Sequence, residues 1–207
     1  GIVVGVVTLT GLGLRIAHLI VTLAGGRLLL TLFFTMIASI ILGMGLPTTA
    51  KYIVLATMAV PAITKLGVNL MAAHLFILYF GVVADITPPV ALAAYAGAGI
   101  AGANSMQTGF QGFKLASAAF IVPYIFAVDP SLILVEDIVG KTVVFMPIFK
   151  ALPMIVSAII GIVCLAAAVE NYFITHNKIY ERIALLVAAL ALLKPGLITD
   201  AIGIVVL

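Results

Sequence analysis

Two short segments of this chain combine oxygen-bearing groups with residues that interrupt a helix. The first, from Gly43 to Thr49, reads Gly-Met-Gly-Leu-Pro-Thr-Thr, and the second, from Asp85 to Pro89, reads Asp-Ile-Thr-Pro-Pro. Hydroxyl, carboxylate and freed carbonyl oxygens are the ligands that hard cations prefer. The two segments together therefore predict a site for a monovalent cation, Na⁺. Its candidate ligands are Gly43, Met44, Gly45, Thr48, Thr49, Asp85, Ile86 and Thr87.

Lys51 and Asp85 are the charged residues in this region that most need an explanation. A charge at the centre of a bilayer costs about 2.5–3.5 kcal/mol on insertion scales. Pairing with each other, lining a wet cavity or binding an ionic substrate would offset that cost. Lys51 could instead extend its ammonium to the membrane interface, and we favour pairing or cavity lining over that alternative. The candidates for a substrate path are Pro47, Lys51, Pro88 and Pro89.

The composition requires lipid as the solvent for these residues. Of the 207 residues, 65% are hydrophobic and 8% are charged, whereas soluble domains average roughly 45–50% and about 25%. Mean hydropathy is +1.39. The chain is thus expected to be an integral membrane protein, and a soluble enzyme is excluded. The net charge of +3 comes from scattered basic residues, so no nucleic acid partner is expected.

The apolar stretches between these segments predict helices. A spanning helix needs about 20 apolar residues, and Gly1–Ala24 is one candidate span. Leu28–Leu42 and Thr48–Val60 are short and flank the first segment, so they predict a re-entrant hairpin over about residues 28–66. Residues 70–101 are long enough to cross but are interrupted at Asp85–Pro89. Further apolar stretches cover residues 113–128, 151–169 and 183–207, and residues 102–112 form a polar, glycine-rich connector.

Pro and Gly explain why both segments should unwind. Pro lacks an N–H and clashes with the preceding turn, and Gly tolerates unusual dihedral angles. In hydrocarbon, unpaired backbone groups are costly, so such breaks persist inside protein or around a water-filled cavity. Broken helices at the membrane midplane are how secondary transporters build ion and substrate sites. The alternative is two proline kinks that bind nothing.

The sequence contains no recognisable catalytic set. It has neither a His-Glu-x-x-His nor a Gly-x-Ser-x-Gly motif, and Gly43-Met44-Gly45 does not follow a βαβ pattern. Cys164 is the single cysteine, which excludes a disulfide framework within the chain. No enzyme activity and no bound cofactor are therefore expected.

Several longer motifs resemble a known family. They are Gly43–Tyr52, Ala73–Gly81 and Asp85–Leu92, with Thr10–Gly13, Ile121–Pro123 and Pro195–Asp200 in fitting places. Together they resemble the large permease subunit of tripartite ATP-independent periplasmic (TRAP) transporters, in the fused form associated with TAXI-type binding proteins. The resemblance covers nearly the whole chain, and its central motifs are long and specific.

The resemblance implies Na⁺-coupled secondary transport of a carboxylate-bearing organic solute, delivered by a periplasmic solute-binding protein. It also implies a multi-pass protein of a prokaryotic inner membrane. The fold would be an all-α helical bundle, half of an inverted-repeat, elevator-type transporter. The Gly43–Thr49 segment would be the tip of the second hairpin and Asp85–Pro89 the break of the adjacent helix, with an Na⁺ site between them. Lys51 is not expected from the family pattern.

The expected organisation has two parts. Residues 1–140 would be the C-terminal half of the transport core, and residues 141–207 the trailing transmembrane helices. Both ends of the chain are apolar, so we expect a fragment of a longer permease, with the matching first-half elements elsewhere. The alternative function is a non-transporting membrane scaffold or assembly subunit, with Gly97, Gly99 and Gly102 serving helix packing.

Overall fold

The structure of the protein is a computed structural model that describes residues 5–6, 9–45, 47–139, 142–194 and 196–207. Residues 1–4, 7 and 8 of the first predicted span, Leu46 in the predicted hairpin tip, Lys141 and Pro195 lie outside the described residues. The described chain is predominantly α-helical, which confirms the predicted fold class. It divides into two compact units, Gly1–Phe113 and Lys114–Leu207.

The first unit consists of helices joined by short turns. They are α1 (Leu12–Leu23), α2 (Leu28–Gly43), α3 (Thr48–Thr64), α4 (Leu70–Val83), a 3₁₀ turn (Ala84–Ile86), α5 (Leu92–Ala101) and the start of α6 (Ser105–Leu115).

The turns follow from local chemistry. Gly25 and Gly26, with φ of 57° and 69°, adopt the left-handed conformation between α1 and α2, which favours glycine. The Asn69 side chain caps α4 by accepting the backbone N–H of Met71 at 2.9 Å.

The core of the first unit lies where α2, α3 and α4 pack together. Phe76 and Phe80 are fully buried, and their rings meet edge to face with centroids 4.8 Å apart. Aromatic pairs favour this geometry. Leu32 of α2 and Leu55 of α3 are also buried. The three helices are thereby held in contact close to both interruptions.

The second unit contains α7 (Ser117–Val128), a 3₁₀ turn (Pro130–Ile133), strands β1 (Val135–Val139) and β2 (Thr142–Phe145), and helices α8 (Ile148–Glu170), α9 (Ile179–Leu193) and α10 (Leu197–Val206). Its core includes Cys164 and Leu165 of α8 against Leu192 and Leu193 of α9. Cys164 is thus buried among apolar side chains.

Two features of the secondary structure differ from expectation. β1 and β2 pair in an antiparallel arrangement, whereas no strand was expected from the sequence. The connector expected over residues 102–112 is helical from Ser105, so that prediction was wrong there. Asn104 caps the start of α6, because its side chain accepts the backbone N–H of Gln107 at 3.0 Å.

Within the described residues, two helical stretches have the length and composition to cross a membrane, Ser105–Val128 and Ile148–Glu170. The helices around the interruptions, Leu28–Gly43, Thr48–Thr64, Leu70–Ile86 and Leu92–Ala101, are apolar but shorter. A re-entrant hairpin and a broken helix both require short helices of this kind. Multi-pass topology stays a prediction.

Candidate functional site

An ion pair between a buried lysine and a partly exposed aspartate joins the two helix interruptions. Lys51 lies in the first turn of α3, and Asp85 lies in the 3₁₀ turn after α4. Lys51 Nζ donates to Asp85 Oδ1 at 2.6 Å, with 1% of the lysine side chain and 29% of the aspartate side chain exposed. Of the alternatives that the sequence left open for Lys51, the structure shows pairing.

Helix geometry directs the Lys51 ammonium to this position. Side chains on a helix tilt toward its N-terminus, so the lysine extends back toward the start of α3. The backbone N–H groups of a first turn have no intrahelical partners and carry partial positive charge. The Asp85 carboxylate balances the charge of the ammonium near this end of α3.

Glycines allow the close approach of the helices that carry the pair. A Cβ atom on Gly81 would lie 3.6 Å from Lys51 Cδ and 3.4 Å from Leu55 Cδ1. A Cβ on Gly43, at the end of α2, would lie 3.2 Å from Ala84 Cβ and 3.4 Å from the Gly81 carbonyl oxygen. The end of α2 is thus packed against the residues that lead into Asp85.

The second interruption is held by local hydrogen bonds. The Thr87 hydroxyl donates to the Val83 carbonyl at 2.7 Å, and its oxygen retains lone pairs for another partner. The chain re-enters a helix at Ala91, which has a left-handed φ of 32°. Tyr95 Oη donates to the Pro89 carbonyl at 2.8 Å. The threonine bond ties the interruption to α4, and the tyrosine bond ties Pro89 to α5.

A mainly apolar cleft of about 510 Å³ adjoins the second interruption. It is lined by Thr87, Pro88, Pro89, Met106, Phe110 and Phe113. This volume is within the range of small-molecule sites, about 300–1,000 Å³. Pro88 and Pro89 had been predicted from the sequence to line a substrate path. Met106 and Phe110 were not predicted, because residues 102–112 were expected to form a connector, and Phe113 was expected only to begin the next apolar stretch.

The predicted ion ligands are only partly brought together. Gly43 is buried beside Ala84, and Thr87 is buried at the break. Gly45, Pro47, Thr48 and Thr49 are exposed, and Met44, Ile86 and Pro88 are partly exposed. One carboxylate oxygen of Asp85 is held by Lys51. Across the described residues, no group of three or more His, Cys, Asp or Glu side chains could hold a metal ion.

Sequence reasoning missed a buried polar stripe on α2. Thr31, Thr35 and Ser39 recur every fourth residue, share a face with Gly43, and are each 0% exposed. The Thr31 hydroxyl donates to the Arg27 carbonyl at 3.0 Å, whereas the hydroxyls of Thr35 and Ser39 have no hydrogen-bond partner within the described part of the chain. The spacing of four in an apolar helix was the signal that could have identified them.

A second polar contact couples α3 to α4 next to the ion pair. Tyr52 follows Lys51 in the chain, and its hydroxyl lies 2.9 Å from His74 Nδ1. A neutral imidazole nitrogen can accept from a phenol hydroxyl. His74 therefore has a hydrogen-bond partner at Nδ1 on the neighbouring helix.

Comparison with known proteins identifies the family. The family described as "Tripartite ATP-independent periplasmic transporter, DctM component" matches residues 1–140. A domain of unknown function, DUF3394, matches residues 151–203. No match was found among the curated proteins or among the solved structures. The DctM match covers more than half of the chain and confirms the resemblance to a TRAP permease. The protein belongs to the DctM family and is a membrane component of a TRAP transporter.

Proposed function

We propose that the protein transports a carboxylate-bearing organic solute in symport with Na⁺. A periplasmic solute-binding protein of the TAXI type would deliver the solute. The observation that carries the proposal is the buried Lys51–Asp85 pair, which joins two helix interruptions beside a cleft of small-molecule size. Buried charges in a membrane protein are costly and mark ion and substrate paths.

In this proposal α2 and α3 form a re-entrant hairpin, and α4 and α5 form one discontinuous transmembrane helix. The candidate Na⁺ ligands remain the oxygen atoms of residues 43–45, 48–49 and 85–87. The cleft beside Pro88 and Pro89 would receive the solute. Transport would follow an elevator movement in a multi-pass protein of a prokaryotic inner membrane, with residues 1–140 as part of the transport core and residues 141–207 as trailing transmembrane helices.

An ion gradient would supply enough free energy for such transport. One charge moving through 100 mV releases about 2.3 kcal/mol, which corresponds to roughly a fifty-fold concentration ratio. Two coupled ions would therefore support strong accumulation without ATP.

Uptake into proteoliposomes tests the proposal. The full permease chain is reconstituted, and labelled mono- and dicarboxylates are presented by its binding protein, with an imposed Na⁺ gradient or with choline replacing Na⁺. We expect uptake of at least one carboxylate to require Na⁺, and Thr49→Val and Thr87→Val to reduce that uptake. Thr57→Val is the matched control, because Thr57 lies on α3 and its hydroxyl donates to the Val54 carbonyl at 2.8 Å.

Uptake that ignores the Na⁺ gradient, with both threonine variants behaving like the control, would refute the mechanism. The alternative scaffold function assigned the glycines of α5 to helix packing. A Cβ on Gly97 or Gly99 would meet no atom within 4 Å, so neither glycine mediates close packing within the described part of the chain.

A further inference from the structure

We propose that the Lys51 ammonium and Na⁺ compete for the Asp85 carboxylate, with Lys51 acting as a tethered cation in the place of the ion. This inference rests on the proposed function for the choice of Na⁺ as the competing ion. In a purely structural ion pair, Lys51 would stabilise the fold without affecting whether Na⁺ binds Asp85.

The Lys51 ammonium already lies where a cation would bind Asp85. Lys51 Nζ is 2.6 Å from Asp85 Oδ1, so the ammonium occupies one of the lone-pair positions through which the carboxylate would coordinate a metal cation. An ammonium only donates hydrogen bonds and carries one positive charge. It therefore supplies to the carboxylate the same charge that an Na⁺ ion would supply.

The packing around its side chain holds the Lys51 ammonium in place. The lysine side chain is 1% exposed, and its methylene groups lie along Gly81 beside Leu55. A side chain that is already ordered loses little further entropy when its charged end binds. A free ion would have to displace this pre-positioned cation, because two cations on one carboxylate repel strongly in a medium of low dielectric constant.

The Asp85 carboxylate is accessible to an ion. Asp85 is 29% exposed, so an ion can reach the carboxylate once the ammonium is removed. Other oxygen atoms lie in the same short segment, including the Thr87 hydroxyl, whose hydrogen is donated to Val83. Loss of Lys51 should therefore leave an anionic, oxygen-containing site with no cation of its own.

Thermal unfolding of the full chain in detergent tests the competition with Na⁺ alone as the probe. Unfolding is followed over a series of NaCl concentrations, with choline chloride holding the ionic strength constant. The variants are Lys51→Gln, Lys51→Met, Lys51→Arg and Lys51→Gln/Asp85→Asn. Lys114→Gln is the control, because Lys114 forms a separate ion pair with Glu170, with its Nζ 2.9 Å from Glu170 Oε2.

We expect Lys51→Gln and Lys51→Met to gain a Na⁺-dependent rise in Tm of roughly 5–10 °C over that of the wild type at saturating Na⁺. The Asp85→Asn change in the double variant should abolish the gain. Lys51→Arg keeps the charge and should respond like the wild type, as should Lys114→Gln.

An equal Na⁺ response in Lys51→Gln and the wild type, or a gain that survives in the double variant, would overturn the inference. Failure of both neutral variants to fold at any Na⁺ concentration would also count against it, because a vacated site should be rescued by its ion. If the wild type shows Na⁺-driven uptake but the Lys51 variants show no Na⁺-dependent rise in Tm, the competition is refuted and the proposed function stands. Na⁺-independent uptake with the gain present would refute only the proposed coupling.

Discussion

The methylene chain of Lys51 lies against Gly81, where a Cβ atom would stand 3.6 Å from Cδ and 3.7 Å from Cγ of the lysine. The lysine passes this position on its way to Asp85, so a side chain larger than that of alanine at position 81 would compete with it for space. The same glycine faces Leu55 and the end of α2. One small residue therefore determines how closely three helices and one buried charge can pack.

Gly81→Val should lower the free energy of unfolding by about 1–3 kcal/mol, because the added methyl groups would overpack Lys51 and Leu55. Gly81→Ala should be tolerated, since its Cβ makes ordinary contacts at 3.4 Å or more and alanine favours the helix by up to about 1 kcal/mol. Thermal unfolding in detergent measures both. Equal stability of the two variants would show that the lysine does not need this space.

A double-mutant cycle on Lys51→Met and Asp85→Asn should reveal strong coupling in sodium-free buffer. Removing one partner of a fully buried ion pair lowers the free energy of unfolding by about 3–5 kcal/mol. Because Asp85 is partly exposed, we expect a coupling energy of about 2–4 kcal/mol for this pair. The double variant should recover part of the loss. The control cycle on Lys114 and Glu170, whose side chains are 41% and 28% exposed, should give about 0.2–1 kcal/mol. Similar coupling in both cycles would contradict the importance assigned to burial.

Gly109→Ala should disturb the second interruption. Its Cβ would lie 2.9 Å from Tyr95 Cε1 and 3.4 Å from Ala91 Cβ, so Tyr95 would have to move and its hydrogen bond to Pro89 would be strained. We expect a loss of about 1–3 kcal/mol in unfolding free energy. Gly112→Ala is the control on the same helix, because its nearest contact would be Ala94 Cβ at 3.8 Å. Denaturant unfolding should show a lower unfolding free energy for Gly109→Ala than for Gly112→Ala. A Gly109→Ala variant as stable as the control would contradict the close packing of Gly109 against Tyr95.

Gly203→Ala should loosen α10 from α9 in the second unit. The added Cβ would collide with Leu192 and lie 3.2 Å from the Ala188 carbonyl oxygen, and backbone cannot move aside as a side-chain end can. A cost of about 1–3 kcal/mol is expected. Gly99→Ala, which meets nothing within 4 Å, should not destabilise. Limited proteolysis or thermal unfolding would report the difference, and an unchanged Gly203→Ala would show that α10 packs less tightly.

The helix ends at both interruptions could be predicted because Gly and Pro act locally. Leu28–Leu42 and Thr48–Val60 were expected on either side of Gly43–Pro47, and the structure has Leu28–Gly43 and Thr48–Thr64. The β1–β2 hairpin could not be recognised, because its ladder depends on pairing between two short segments. The start of α6 was hidden by Gly109 and Gly112, which disfavour a helix until tertiary packing compensates.

The charged residues of the candidate site could be predicted, but their contacts could not. Lys51 and Asp85 were both identified because charges are rare in this composition. Their pairing spans 34 residues of sequence, so it depends on the packing of α3 against α4, and the sequence left several alternatives open. Thr35 and Ser39 were overlooked since single hydroxyls are common in apolar helices.

The Lys51–Asp85 pair also has an electrical consequence. From Leu28 to Ala101 the charged residues are Lys51, Lys65 and Asp85, and the pair contributes no net charge. If this segment crosses the membrane field as one body, moving the pair performs no work against the voltage. Each unpaired charge would instead change the energy of the movement by about 2.3 kcal/mol per 100 mV. Currents during turnover would then report the ions and the solute, with no contribution from this pair.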